Sequence, residues 1–494
     1  MAYQHGVYVS EVPTSLLPAV EVDSAMPVVF GTAPVNMTDV TNVNKPILCY
    51  SYDEFVQSFG FVPAADDASS GLKKYAFSLC EAAYCQFALF GVSPVVFVNV
   101  LDPSKHKKTA TTVSITLDAK TGSATVAEAG IIPSSVTITP SSASPYTVDE
   151  DYALTFDDDG NLIVTSLKDE EGDFKCTTGT SLTFAAEIVD PTAVDSDDII
   201  GGVDVSGNES GLELIAQIYP RFGLVPGTII APGFSSDPAV AAVMAAKAVD
   251  INGRFKAMTI IDAPTDTVKT YSAVPSWKTT NNVTDPTQIL CWPMLSLSGT
   301  AYHYSSQLAA LLGQVDGDSD GTPYMSPSNH NLQMTATVLE DGTEVWLDLE
   351  KANYLNGEGI LTAINQQSGW LCWGNRTAAY PGSTDVKDCF IPVRRMFNWI
   401  GNTLVTTFFQ RVDAPLNRRL IDTIIDSAGV WLNGLAAQQY ILSGSVEFRE
   451  SENSTADLLD GMITFHVMVS PPPPARKIGF TLEYDVNGLQ TLFE

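Results

Sequence analysis

Residues 316–321, with the sequence DGDSDG, come closest to the spacing of a metal site. Aspartates at alternate positions follow the pattern that opens an EF-hand loop, whose oxygen ligands bind Ca²⁺. The twelfth position of such a loop supplies a bidentate glutamate, but here it is Pro327, and no helix pattern flanks the segment. The acidic groups at 149–152 and 157–159 are more typical of solvated turns. We therefore predict no metal site.

Residues for catalysis are equally sparse. The histidines show neither i, i+4 pairing nor the HExxH pattern that binds zinc. They are His5, His106, His303, His330 and His466. The turn after "TIIAPG" lacks both glycine-rich patterns that cradle phosphates, so no cofactor is predicted. Asp262 lies at the end of a predicted strand, and it is the sort of residue that could take part in catalysis if the chain were a cytosolic α/β enzyme.

The strongest charge feature is a group of arginines between residues 391 and 419. They are Arg394, Arg395, Arg411, Arg418 and Arg419. Asp413 is the single acid among them, although the whole chain has 57 acidic and 26 basic residues. The planar guanidinium group is well suited to pairing with carboxylates. Two interpretations stay open: pairing within the chain, or a basic surface for an acidic partner protein.

The net charge of −31 disfavours nucleic acid and anionic membranes as partners, because the long-range field repels both. The cysteines are Cys49, Cys80, Cys85, Cys176, Cys291, Cys372 and Cys389. Their odd number and scattered spacing predict reduced, mostly buried thiols. The start of the sequence has no signal pattern, and the most apolar run, residues 87–101, is too short for a bilayer span. We expect synthesis in a cytoplasm without membrane insertion.

The elements that would position these residues indicate an α/β core. Apolar runs such as "PVVFGTAP", "PVVFVNVL", "GTIIAPGF" and "FKAMTIIDAP" predict buried strands. Helices are predicted in "SYDEFVQSFG", over 71–89 and from Pro238, after an N-cap at Ser236 or Asp237. We assign the core to residues 21–102 and 201–390. Residues 391–470 form a C-terminal domain with helices near 398–409 and 414–435.

Residues 103–200 break the α/β pattern. They are rich in Thr, Ser and Asp, with short alternating runs such as "SSVTITP" and "NLIVTSL". Asp159-Gly160 predicts a hairpin turn between two strands. Six basic and 17 acidic residues give the segment a net charge of −11. We interpret it as an inserted all-β sandwich that points into solvent.

The two ends of the chain are predicted to be extended arms, residues 1–20 and 471–494. After four prolines, strict alternation places Ile478, Phe480, Leu482, Tyr484 and Val486 on one face of a strand. The four prolines cannot pair in a sheet. They form an extended chain of about 3.1 Å per residue, which holds the strand roughly 12 Å away from the body of the protein. Val7 and Val9 lie in a second β-prone stretch that ends at Pro13. Each arm is predicted to find its partner strand elsewhere.

Several blocks in this order resemble the contractile tail sheath proteins of bacteriophages and phage-tail-like particles. They are "HGVYVSEVP", "GTIIAPGFSSDPAV", "DGDSDGTPYMSPSN", "LNGEGILTAINQQSGWLCWGNRT", "VRRMFNWIGNTLV" and the proline arm. The resemblance covers nearly the whole chain, except that 103–200 match only in kind. It implies a non-enzymatic subunit that polymerises helically around a tail tube and contracts to drive the tube through a bacterial envelope.

The resemblance also implies partners and a location. The partners are other copies of the chain, the tube protein, and baseplate and tail terminator proteins, in a virion tail or similar particle assembled in the bacterial cytoplasm. The arms would add strands to sheets of neighbouring subunits. We further expect the arginine-rich segment to face an acidic tube and the acidic insertion to face outward. The alternatives are another tail assembly component or the cytosolic enzyme.

Overall fold

The computed structural model describes residues 17–109, 113–141 and 144–485. The predicted arm residues Val7, Val9 and Val486 lie outside the described residues. All seven cysteines are buried free thiols, as predicted. Within the described ranges, no helix combines the length and the apolar character needed to cross a membrane.

The first part of the chain forms strands and short helices. They are β1 (Pro27–Gly31), β2 (Pro46–Cys49), α1 (Tyr52–Phe59), β3 (Ala65–Asp67), β4 (Leu72–Lys74), α2 (Ser78–Ala83) and β5 (Val95–Asn99). The prediction of one helix over 71–89 is wrong in its first half. Lys74 is held in β4 because its ammonium group bonds both Asp67 and Glu340, so the helix begins only at Ser78 and continues as a π-helical stretch, Tyr84–Leu89.

Eight short strands follow. They are β6 (Lys107–Thr109), β7 (Val113–Thr116), β8 (Ser123–Ala129), β9 (Thr137–Pro140), β10 (Tyr152–Phe156), β11 (Asn161–Ser166), β12 (Ser181–Ala185) and β13 (Glu187–Val189). Two three-stranded antiparallel sheets, β10-β11-β8 and β7-β12-β9, share one apolar core that includes Leu162 and Phe184. The predicted turn at Asp159-Gly160 joins β10 to β11.

The remaining elements return to alternation of strand and helix. They are α3 (Ser196–Ile200), β14 (Gly202–Val203), β15 (Glu209–Ser210), α4 (Ile218–Phe222), β16 (Thr228–Ile230), α5 (Pro238–Val249), β17 (Met258–Asp262), α6 (Val274–Thr280), β18 (Gln288–Cys291), β19 (Met294–Leu297), β20 (Thr300–Tyr302), α7 (Tyr304–Gly317), β21 (Ala336–Val338), α8 (Leu349–Gly357), β22 (Ile360–Gln366), β23 (Gly369–Trp373) and α9 (Val386–Cys389). Asp237 is the N-cap of α5 and accepts a hydrogen bond from the amide of Ala239, with Pro238 in the first turn.

One eight-stranded sheet organises the core, in the order β2-β5-β1-β16-β17-β18-β22-β23. Its six central strands are parallel, and β2 and β23 pair antiparallel at the two edges. β1 and β5 are buried at every position because helices cover both faces of a parallel sheet. A second sheet, β21-β19-β20-β4-β3, packs beside it. The predicted mixed α/β fold is confirmed.

The chain ends in a helical pair and a hairpin. They are α10 (Ile391–Phe408), α11 (Arg418–Ala437), β24 (Ser443–Glu447), α12 (Thr455–Leu459) and β25 (His466–Ser470). The two helices pack together through apolar side chains, since Leu432 and Leu435 of α11 contact Trp399 and Ile400 of α10. β24 and β25 form an antiparallel two-stranded sheet whose inner side chains join the same cluster.

Candidate interaction surfaces

The C-terminal arm presents its predicted apolar face to solvent. Ile478, Phe480, Leu482 and Tyr484 are 73, 88, 96 and 75% exposed. In the described part of the chain, residues 475–484 form neither helix nor strand and pair with no sheet. Four large apolar side chains at alternate positions, all exposed to solvent, form an unusual surface. Burial of these side chains against a partner would be energetically favourable.

The β24–β25 hairpin is a sheet with room for more strands. Among the described residues, β24 and β25 pair only with each other, so the outer edge of each strand has unpaired backbone groups. The hairpin is fixed in place by close packing on α11. A Cβ at Gly444 would lie 2.9 Å from the Leu432 side chain, so only glycine allows β24 to approach this closely.

Two of the five arginines are not on the surface. Arg395 is 2% exposed and forms a bidentate ion pair with Asp316, at the end of α7. Arg394 is largely buried and bonds Asp388 at 3.2 Å and Asn398 at 3.1 Å. For these two, pairing within the chain is the better interpretation, and neither offers its guanidinium group to a partner such as a tube. The sequence could not distinguish them, because their acids lie far away or in another element.

The other three arginines surround the connection between α10 and α11. Arg418 and Arg419 are exposed, and Arg411 is half-buried. Arg418 pairs with Asp422 at 2.9 Å, whereas Arg411 and Arg419 form no ion pair within the described ranges. Apolar side chains lie beside them, with Phe409 55% and Val412 64% exposed. This end of the helical pair, which we call the arginine turn (residues 409–419), is therefore both basic and apolar.

Residues 17–24 lie along α10 and α11, a contact that the sequence did not predict. The Leu17 amide donates to the Ser427 hydroxyl, and the Val20 amide donates to the Thr407 hydroxyl. The Val20 carbonyl accepts a hydrogen bond from Thr406. The indole of Trp399 donates to the Val22 carbonyl, and that of Trp431 donates to the Glu21 carboxylate. Residue 24 lies beside Arg395 at the start of α10 and residue 20 near its end. The described part of the N-terminal arm therefore packs against the helical pair, and Leu17 lies beside the middle of α11.

Two aspartates of the acidic loop 316–321 bond other side chains of the protein. Asp316 pairs with Arg395, and Asp320 accepts a hydrogen bond from the Tyr440 hydroxyl at 3.0 Å. A different acidic group, Asp169, Glu171 and Asp173, places one carboxylate oxygen of each residue within 4.8 Å of the others. All three are exposed, and Asp169 accepts the backbone amides of the other two, as in an ordinary acidic turn. Among the described residues no further group of this kind is found.

Asp262, the candidate for the enzyme alternative, lies at the carboxyl end of β17 beside a cavity of about 420 Å³. It accepts the Ser305 amide at 2.9 Å and the Ser305 hydroxyl. Glu81 likewise accepts the His303 amide at 2.7 Å and the Ser306 hydroxyl at 2.7 Å. Both carboxylates thus satisfy the unpaired amides and hydroxyls at the N-terminus of α7, where the helix dipole favours negative charge.

The protonation of this cluster follows from its geometry. Burial lowers the pKa of His303, but the Glu81 carboxylate, 2.8 Å from Nδ1, outweighs burial and raises that pKa to about 9. The imidazole is therefore charged near neutral pH. Burial raises the pKa of Asp262, although His303 and Ser305 oppose the shift. The cluster is a set of satisfied charges that anchors α7, and we assign Asp262 this structural role.

Comparisons with known proteins show which proteins the whole chain and its fold resemble. No family model matches the chain. The tail sheath protein of Burkholderia phage BcepMu is 29% identical over 508 aligned residues, which cover 99% of this chain and 98% of that protein. The contracted sheath of the PVC extracellular contractile injection system shares the fold, with a TM-score of 0.58 and 14% identity over 99% of both chains.

A chain in the anti-feeding prophage baseplate structure also shares the fold, with a TM-score of 0.56 at 13% identity over 98% of this chain and 100% of that one. The resemblance to contractile tail sheath proteins is thus confirmed over the whole length. The fold is that of a contractile sheath protein. The phage relative and the PVC chain are sheath components by name, and none of the three proteins is named as an enzyme, in agreement with the sequence.

Proposed function

We propose that this chain is the structural subunit of a contractile tail sheath, which polymerises helically around a tail tube. The observation that carries the proposal is the exposed C-terminal arm, together with a hairpin whose edges are open. A strand pattern without a strand partner, next to a sheet without its outer strands, is the arrangement expected of subunits that complete one another. The whole-length similarity to a phage tail sheath protein supports the same function.

Strand exchange would link the subunits. The arm of one copy would add to the edge of β24 or β25 of another, so that backbone hydrogen bonds give strength and the alternating side chains fix the register. Residues 478–484 are long enough to pair with a five-residue strand such as β25. The N-terminal arm, residues 1–20, would make a second link of the same kind. Such links persist while rigid cores move.

The arginine turn is the surface that we assign to the tube. Arg411, Arg418 and Arg419 project from the end of the α10–α11 pair, beside exposed Phe409 and Val412. A basic and apolar surface on a chain of net charge −31 fits an acidic partner protein. The acidic segment 103–200 would then face outward. Arg394 and Arg395 are not part of this surface because they pair inside the chain.

Contraction would release energy that is stored when the subunits assemble in a metastable lattice, so no nucleotide site is required. The tube, the baseplate and a tail terminator are the further partners of such a sheath. The particle would be assembled in the bacterial cytoplasm, and contraction would drive the tube through an envelope.

Electron microscopy of the purified full-length chain tests this function. We expect long hollow cylinders, because a self-complementary pair of arm and hairpin drives polymerisation without a template at sufficient concentration. A chain that remains small and monodisperse at high concentration would contradict the proposal. In that case the arm pairs within its own subunit, and the 420 Å³ cavity beside Asp262 becomes the place to search for a ligand.

Reversing the charge of the arginine turn should separate tube binding from self-assembly. We expect Arg411→Glu, Arg418→Glu and Arg419→Glu together to abolish co-assembly on an acidic tube protein, because like charges then face each other across the contact. Cylinders of the variant alone should form as before. The measurement is co-sedimentation with the tube at two salt concentrations. Unchanged tube binding would show that another surface faces the tube.

A further inference from the structure

A cleft of about 970 Å³ separates the base of the C-terminal arm from the body of the protein. Residues 472–477 form one wall. The opposite walls come from residues 324–330, from the end of α8, and from residues 373–376 after β23. We call this space the proline cleft. Residues 373–376, part of a block that carries the family resemblance, line the cleft. The cleft therefore brings together segments that are distant in the sequence.

The proline cleft differs in charge from the rest of the chain. Among the described residues, Arg376, Arg476 and Lys477 line it and no carboxylate does, although acidic residues outnumber basic ones 57 to 26 in the whole sequence. The cavity beside Asp262, by contrast, has four carboxylates in its lining. A basic cleft in a strongly acidic protein attracts carboxylates and repels other cations.

Several side chains that line the proline cleft are polar. Asn329, Asn353 and Asn375 line it together with Ser326 and Ser328, and can donate or accept hydrogen bonds along an extended backbone. Nδ1 of His330 is buried and has no hydrogen-bond partner among the described residues, and burial lowers the pKa of this imidazole, so it is neutral.

Arg376 is held rigidly at one end of the cleft. Its guanidinium lies 3.7 Å from the ring centre of Phe390 and 4.3 Å from that of Tyr380, and it donates to the Cys389 sulfur. A guanidinium fixed in this way loses little conformational entropy when it binds a carboxylate. The cleft thus has a preorganised cation at one end and the flexible cations of the arm along its other wall.

We propose that the proline cleft binds an acidic, extended segment of a second copy of this chain. The inference rests on the proposed function, since the arm that forms one wall continues to a neighbouring subunit, and that neighbour must lie beside the cleft. A copy with net charge −31 offers many acidic segments, and the space of about 970 Å³ is sufficient for several residues. Strand exchange and this contact would then stabilise the same subunit pair.

Two isosteric substitutions test the proposal. Asn329 and Asn282 are both exposed, both have a left-handed backbone with φ of 70° and 54°, and the described contacts include no hydrogen bond of either side chain. Asn329→Asp puts a negative charge in the cleft, whereas Asn282→Asp puts the same charge at the end of α6, outside it. Aspartate tolerates this backbone conformation as asparagine does, so both variants should fold.

We expect Asn329→Asp to raise the concentration needed for cylinder formation by about tenfold at low salt, since one unfavourable charge contact costs about 1.4 kcal/mol. Asn282→Asp should change it by less than about twofold, and salt should reduce the difference. Sedimentation across a concentration series gives the value. Equal behaviour of the two variants would overturn the cleft proposal while leaving the sheath function intact.

Two other outcomes also decide the matter. If Asn329→Asp forms cylinders normally but fails to assemble on a tube protein, the occupant is not a second copy and the proposal is wrong. If the unaltered chain forms no cylinders at all, the proposed function fails and this inference fails with it.

Discussion

Replacing Arg395 by methionine is expected to lower the free energy of unfolding by about 3–5 kcal/mol. The guanidinium and the Asp316 carboxylate are 2 and 3% exposed, so methionine would leave a buried carboxylate that, among the described side chains, accepts a hydrogen bond only from the hydroxyl of Ser24. The pair joins three parts of the chain: α7, α10 and the N-terminal segment whose Ser24 carbonyl accepts a hydrogen bond from Arg395. Urea denaturation followed by circular dichroism gives the measurement.

The exposed Arg418–Asp422 pair provides a matched control. Its arginine side chain is 80% exposed, so Arg418→Met should leave the urea midpoint nearly unchanged. The double variant Arg395→Met with Asp316→Leu should recover most of the lost stability, because an apolar pair of similar volume leaves no buried charge. If Arg395→Met were no more damaging than Arg418→Met, the buried pair would contribute nothing and the N-terminal segment would be held by its other hydrogen bonds.

The sequence predicted the elements whose pattern is local. The buried strands β1, β5, β16 and β17 are apolar runs between turn residues, and α5 begins where Asp237 and Pro238 indicate. The arm's alternation was equally plain. These features depend on neighbouring residues, so they can be recognised without knowledge of the rest of the fold.

Features that depend on distant partners could not be predicted. Residues 72–74 have a helical composition but form a strand because β20 and β3 pair with them. Arg394 and Arg395 are adjacent to each other and resemble a surface pair, yet they pair with Asp388 and Asp316, which lie in two different elements. The pairing of Arg395 with Asp316 spans 79 positions, and no short-range pattern reports such a contact.

The same limit applies to the candidate surfaces. The proline cleft unites segments near 325, 355, 375 and 475, and its basic character emerges only when they meet. For the β24–β25 hairpin, no sequence pattern indicated that the outer edges of both strands lack a partner among the described residues. An unpaired edge is a property of the sheet and not of one strand.

Charging the apolar face of the C-terminal arm is expected to prevent assembly. Phe480 and Leu482 are almost fully exposed in the monomer, so Phe480→Asp with Leu482→Asp should leave the fold intact. Each side chain contributes about 1.5–3 kcal/mol when it is buried against a neighbour, and a charge there costs more. The concentration required for cylinders should therefore rise by about 100-fold or more.

The opposite face of the same strand supplies the control. Gly479→Asp with Thr481→Asp adds the same two charges within the same segment, but on the side that alternation places towards solvent. We expect this variant to form cylinders within about tenfold of the normal concentration, since a solvated charge loses little hydration. Electron microscopy and sedimentation would compare the two. Equal losses would mean that the arm does not bind as a strand with one buried face, whereas loss only for the apolar face would establish the strand conformation and which of its faces is buried.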